Sequence, residues 1–221
     1  MRRVFLASVG MLTLAALVGP GGAADLQRRY DPTKAPVFAP AYNWTGFYLG
    51  INGGGGWGHS DWTTTPGFDV SGGLIGGTAG FNWQTGQWVF GVEGDVDWTN
   101  IKGNTVVGCP LRCQTSNTWL ATVRGRVGYA FDRFMPYVTG GVAFGDIRAA
   151  TPGFPGLTNT NAGWTVGGGL EFAIYYNLTA KAEYLYVDLG NVNCGLSCGV
   201  VAPNNVSFRS NIFRAGLNYR F

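Results

Sequence analysis

The chain has 221 residues, of which 46% are hydrophobic but only 12% charged, and it carries 37 Gly, eight Trp, ten Tyr and fourteen Phe. Soluble domains carry about a quarter charged residues, so the composition argues against an ordinary soluble domain. The formal charge of +3 offers no basic surplus of the kind that nucleic acid demands.

The first 24 residues read as a secretory signal peptide. "MRR" is a short basic start, "VFLASVGMLTLAALVG" is an apolar stretch, and "GGAA" supplies small residues before Asp25. The apolar run is shorter than the about twenty residues of a spanning helix, so removal is expected rather than anchoring. Loss of Arg2 and Arg3 then leaves an almost neutral, exported chain. Residues 25–43, "DLQRRYDPTKAPVFAPAYN", place Pro32, Pro36 and Pro40 at a four-residue spacing and read as an extended periplasmic linker. A tether to peptidoglycan is one reading of it, a solvated leader the other.

From residue 44 to 221 the pattern changes to eight alternating segments of about the length a tilted membrane strand needs. They lie near 45–57, 73–83, 88–98, 118–130, 136–145, 163–173, 178–189 and 211–221. In the third, Trp88, Phe90, Val92, Val96 and Trp98 oppose Glu93, Asp95 and Asp97. The fourth sets Trp119, Ala121, Val123, Val127 and Tyr129 against Thr122, Arg124 and Arg126. Glu171 in the sixth, Lys181 and Glu183 in the seventh, and Arg214 and Arg220 in the eighth also sit opposite apolar residues. The fifth, "PYVTGGVAFG", alternates too weakly for its faces to be assigned.

Aromatics at strand ends, such as Trp44 with Trp57 and Trp88 with Trp98, fit the interfacial girdles of a membrane barrel, with the charges turned inward. The connections "QTGQ", "FDRFM" and "AIYYN" are tight, whereas 58–72, 99–117, 146–162 and 190–210 read as long loops. The expected fold is therefore all-β: an eight-stranded antiparallel up-and-down transmembrane β-barrel with short periplasmic turns and four long extracellular loops. If Trp98 faces Trp119 and Trp88 faces Tyr129, Glu93 lies opposite Arg124; a shift of two residues pairs Asp95 with Arg124 and Glu93 with Arg126.

Chemistry-bearing motifs are sparse. Cys109 and Cys113 flank "PLR", and Cys194 and Cys198 flank "GLS", which in an oxidising compartment reads as two local disulfides. A four-cysteine zinc site is the competing reading, at an unusual spacing. His59 is the lone histidine, beside Ser60 and Asp61. Strand neighbours point to opposite faces, so at most one of those two shares its side, and an ordinary surface histidine is the plainer reading than catalysis or haem contact. No catalytic residue, cofactor or metal is expected.

"YNWTGFYLGINGG", "FNWQTGQWVFGVEGDVDW", "VRGRVGYAF", "AKAEYLYVDLG" and "FRAGLNYRF" resemble the alphaproteobacterial outer-membrane β-barrel, or porin-family, proteins, whose membrane domain is similar to the OmpA and OmpX barrels. That resemblance implies that Leu217, Tyr219 and Phe221 belong to a signal read by the barrel assembly machinery. It implies contact with outer-membrane lipid and lipopolysaccharide. Three roles follow as expectations: an envelope barrel with at most a narrow lumen, a binding module acting through its loops on host, ligand or haem, and a true small-solute porin. An enzyme is the least expected.

Overall fold

The computed structural model describes residues 42–62, 65–107, 113–150, 153, 156–193 and 205–221. The signal peptide, residues 25–41 of the linker, Cys109, Cys194 and Cys198 lie outside the described residues. Eight strands follow in chain order: β1 (Gly46–Trp62), β2 (Thr65–Thr85), β3 (Trp88–Thr105), β4 (Cys113–Tyr129), β5 (Phe134–Ala150), β6 (Leu157–Ala173), β7 (Leu178–Asn193) and β8 (Asn205–Arg220). Every strand pairs antiparallel with its sequence neighbours, and β1 closes on β8. Closure leaves no unpaired edge, which is what an apolar solvent demands of backbone amides.

All eight expected segments are strand, but each continues well past one end of the expected range. At the tight-turn end the expected bounds fall within a few residues of those observed. At the other end the supposed long loops are largely strand, so 58–62, 99–105, 113–117, 146–150, 157–162 and 205–210 extend the ladder. Polarity explains the misreading. Within the lipid belt, bulky apolar side chains point outward: Phe47, Ile51, Ile75, Val92, Trp98, Val123, Val138, Leu170 and Phe213 are all exposed. Beyond the aromatic girdle the pattern inverts. There Ser71, Asn100, Lys102, Gln114, Arg148 and Arg209 face out, while Phe68, Val70, Leu74, Ile101, Leu120, Ile147, Leu185, Val187, Leu189, Val206, Phe208 and Ile212 pack together inside. The same barrel is thus a membrane protein at one end and a water-soluble barrel with its own dry core at the other.

Bulges mark the transition. The β3–β4 register shifts between Trp98 and Ile101, and the β4–β5 register between Ser116 and Leu120. In β4 the buried positions change parity there, from Thr115 and Asn117 to Leu120 and Thr122, because an inserted residue flips which face each side chain meets. Asp146 of β5, buried, holds this bulge. Its Oδ1 accepts the amides of Thr118 at 2.8 Å and Trp119 at 3.0 Å, and its Oδ2 accepts the Thr118 hydroxyl at 2.7 Å.

The faces of β5, undecided from sequence, are now assigned. Met135, Tyr137, Thr139 and Ala143 point inward, and Phe134, Val138, Val142 and Phe144 outward. The ambiguity came from apolar inward residues, Met135 and Tyr137, which serve a lumen core rather than lipid.

Candidate functional site: the filled lumen

Between the two ends the lumen is crossed by a layer of charge. Glu93, Asp95 and Asp97 of β3, Arg124 and Arg126 of β4, Glu171 of β6, Lys181 and Glu183 of β7 and Arg214 of β8 are all buried. The β3–β4 register is the one that pairs Trp98 with Trp119, Trp88 with Tyr129 and Glu93 with Arg124. Arg124 nevertheless reaches the diagonal neighbour as well: its Nη2 lies 2.5 Å from Glu93 and 2.8 Å from Asp95, and its Nη1 lies 2.9 Å from Glu183 across the lumen. Arg214 binds Asp95 at 2.8 Å, Asp97 at 2.7 Å and Glu183 at 2.8 Å.

Glu93 is the hub. It receives Arg124, Arg126 at 3.4 Å, Lys181 at 3.0 Å and the Tyr48 hydroxyl at 2.8 Å. Glu171 and Lys181 are direct register partners, yet each turns elsewhere: Lys181 to Glu93, and Glu171 to Arg126 at 2.5 Å. Hydroxyls and an amide fill remaining acceptor positions, from Thr122 to Asp95, Tyr137 to Glu183, and Thr179 and Asn218 to Glu171. Pairing of this kind lets charge persist away from bulk water, and it leaves only single atoms such as Asp97 Oδ1 and Arg126 Nε without a hydrogen-bond partner.

Glycine makes the space. The Tyr48 ring lies over Gly80 and the Tyr137 ring over Gly169, so closely that a Cβ at either glycine would meet the phenol. Between these two tyrosines sits Arg126, its guanidinium carbon 4.1 Å from the Tyr137 ring centroid and 5.7 Å from that of Tyr48. The inward glycines of "GGGGWG", Gly54, Gly56 and Gly58, act alike: at Gly54 a Cβ would collide with Arg214 and the β8 backbone, whereas at Gly53 and Gly55 it would meet nothing closer than 3.6 Å. They form strand and lumen wall, and among the described residues no helix stands beside them to bind phosphate.

Two sequence expectations are corrected. Arg220 faces inward but does not join the charge layer; its guanidinium donates to the carbonyls of Asn43 at 2.8 Å and Thr45 at 2.9 Å. Six positions beyond Arg214 on β8, it sits at the tight-turn end, where those two carbonyls meet it. Trp44 is not a girdle residue either. It precedes β1 and is fully buried, packed with Val89, Ala130, Met135, Tyr137 and Ala173. An aromatic next to a strand end looks alike from sequence whether it faces lipid or lumen.

His59 lies within β1 on the outer face, with Nδ1 3.0 Å from Asp69 and Nε2 3.3 Å from Asp61. Ser60 points inward to Thr115. Among the described residues, no group of three or more His, Cys, Asp or Glu is arranged to hold a metal ion. Cys113 is buried at the start of β4. At the tight-turn end Leu217, Tyr219 and Phe221 all face outward, and the Phe221 amide donates to the Phe47 carbonyl at 3.0 Å. Sequence reading missed Asp146, the apolar core beyond the girdle and the buried pair Tyr48 and Tyr137. Only Tyr48 left a signal, as an aromatic out of step with Phe47 and Leu49.

A family model described as "Outer membrane protein beta-barrel domain" matches residues 11–221. The chain is 35% identical to the 31 kDa outer-membrane immunogenic protein of Brucella melitensis biotype 1, over all of both chains. It is 33% identical to that organism's 25 kDa outer-membrane immunogenic protein, over 90% of each. It is 35% identical to a 22 kDa outer membrane protein of Rhizobium leguminosarum bv. viciae, over 85% of this chain and 82% of that one. Among solved structures, Neisserial surface protein A aligns with a TM-score of 0.51 at 18% identity, over 80% of this chain and 98% of that one, which is a likeness of fold.

Proposed function

The chain belongs to the outer membrane protein beta-barrel domain family and is a Gram-negative outer-membrane protein; from that premise we propose that it is a non-enzymatic envelope barrel whose filled lumen passes little or no current. One observation carries this reading: the charge layer crosses the lumen from β3 to β7 and β8 with its carboxylates and cations mutually paired. An eight-stranded barrel has an interior just wide enough for side chains to fill. Paired charges of both signs make a plug, whereas a selective channel presents a ring of one sign. The apolar core beyond the girdle supports the same reading, since it adds a dry stopper on the far side. Purified protein, refolded in detergent and shown folded by a heat-dependent gel shift, should give weak or no conductance in a planar bilayer. Large, stable, ion-selective channels would move the porin reading to first place.

A second reading rests on the strand extensions. Their polar outer faces and apolar interior suit water, and with the tight turns in the periplasm they would stand clear of the cell surface. A projection of this kind suits display or binding by the connections between its strands. Shortening those connections while envelope integrity is retained, with loss of a surface-binding phenotype, would favour it. By the same orientation the tight-turn end faces peptidoglycan, and the lipid belt and girdle contact lipid and lipopolysaccharide.

A further inference from the structure

The tight-turn mouth of the barrel holds four residues that belong to no strand. We propose that this mouth is a docking site for the Tyr42–Thr45 segment, which seals the lumen from that end. The seal is separate from the charge layer and goes beyond the closed-lumen reading.

Every tight turn contributes to the dock. Gln84, before the β2–β3 turn, accepts the Trp44 amide through Oε1 at 2.7 Å, and its own amide donates to the Thr45 hydroxyl at 3.0 Å. Asp132, in the β4–β5 turn, accepts the Trp44 indole Nε1–H through its carbonyl at 2.9 Å and the Tyr42 amide through Oδ1 at 2.9 Å. It is the sole non-glycine residue of positive φ among the described residues, at 53°, a conformation that costs energy and persists where surroundings enforce it. Tyr176, in the β6–β7 turn, accepts the Tyr42 hydroxyl through its carbonyl at 3.1 Å.

The fourth side is Arg220. Besides donating to the carbonyls of Asn43 and Thr45, its guanidinium carbon lies 5.1 Å from the Tyr42 ring centroid and 5.5 Å from that of Trp44. Tyr42 and Trp44 themselves meet edge to face at 4.8 Å. Tyr42 and Trp44 thus supply aromatic faces for stacking while the carbonyls of Asn43 and Thr45, which alternate with them, accept from the cation. The Trp44 side chain ends in an apolar socket formed by Val89, Ala130, Met135, Tyr137 and Ala173. Aromatic, cationic and backbone contacts converge on one short segment from four directions, which is the geometry of a bound peptide rather than of a frayed strand start.

Just inside the plug the inward-facing residues Asn82, Thr179 and Asn218 are polar and buried. Asn82 pairs with Gly46 in the first row of the barrel, is 1% exposed, and neither side-chain heteroatom has a hydrogen-bond partner. That makes Asn82→Cys a reporter that breaks no hydrogen bond. The full-length protein, refolded in detergent, would be labelled with a small charged methanethiosulfonate, with the labelling of protein lacking the new cysteine subtracted and Ser71→Cys as the exposed comparison. With the native plug, the residue-82 thiol should react at least tenfold more slowly than the residue-71 thiol. Trp44→Ala, or Tyr42→Ala if the first does not give a heat-modifiable barrel, should accelerate labelling at 82 at least tenfold and leave 71 unchanged. Equal rates at 82 and 71 with the plug intact, or no acceleration by a folded plug variant, would overturn the proposal. Bilayer conductance reads the charge layer and labelling at 82 reads the mouth, so either reading can fail without the other.

Discussion

Arg124 donates across the β3–β4 ladder to Glu93, its direct register partner, at 2.5 Å, and both side chains are shut away from solvent. The pair matters less for its own attraction than for what its loss exposes. An intact buried ion pair adds little to stability, but one partner left alone costs about 3 to 5 kcal/mol. Arg124→Ala takes one cation from each of Glu93, Asp95 and Glu183 at once, so urea unfolding in lipid vesicles should show a loss in that range, or bilayer recordings a new leak. Glu93→Ala, which removes the carboxylate that Lys181 binds and takes one from Arg124 and Arg126, should cost at least as much. Wild-type stability and silence in both variants would remove the charge layer from the account.

The inversion of polarity along the strands predicts where the bilayer ends. Val92→Lys faces lipid at mid-belt and should destabilise by about 2 to 4 kcal/mol, whereas Ser71→Lys, outward beyond the girdle, should stay within about 0.5 kcal/mol. Ile101→Ala, inward at the same end, should cost about 2 to 5 kcal/mol as a core truncation. Equal sensitivity of positions 92 and 71 would mean that the extension is also immersed.

Asp146 offers a test of the β4 bulge. Asp146→Ala leaves the amides of Thr118 and Trp119 without their acceptor, a loss of about 1 to 3 kcal/mol. Hydrogen exchange at these two amides should quicken while that of Val123 and Val127 in the belt stays slow. Unchanged exchange at 118 and 119 would assign the bulge to the strand sequence itself.

Phe221 separates assembly from stability. Its ring is outward and 72% exposed beside Tyr219, at the lipid interface. A carboxylate costs little at that depth, about 1 kcal/mol or less. Phe221→Asp should therefore refold in detergent nearly as the parent does, yet reach the outer membrane at several-fold lower level. Normal surface levels would show that Phe221 is not part of the assembly signal.

The sequence by itself determined the membrane half of the barrel. Where lipid lies outside and charge inside, alternation is strict and specifies strand and face, because a one-residue slip would turn every side chain to the wrong solvent; between the two registers that keep those faces, the structure took the one with Trp98 opposite Trp119 and Glu93 opposite Arg124. Tertiary structure decided the rest. The extensions of β2 and β8 alternate as well, but with the apolar set, Phe68 and Val70, Val206 and Phe208, turned inward, and a pattern cannot state which solvent it meets. In β4 the bulge at Thr118 and Trp119 broke the period, so Cys113 to Asn117 gave no readable face. Lys181 stands opposite Glu171 in the ladder yet spans the lumen to Glu93, a choice made only when closure brings β7 toward β3. Trp44 and Arg220, an aromatic and a cation near the two ends of the described chain, meet because β1 pairs with β8. No local rule links residues 176 positions apart; the closed ladder does.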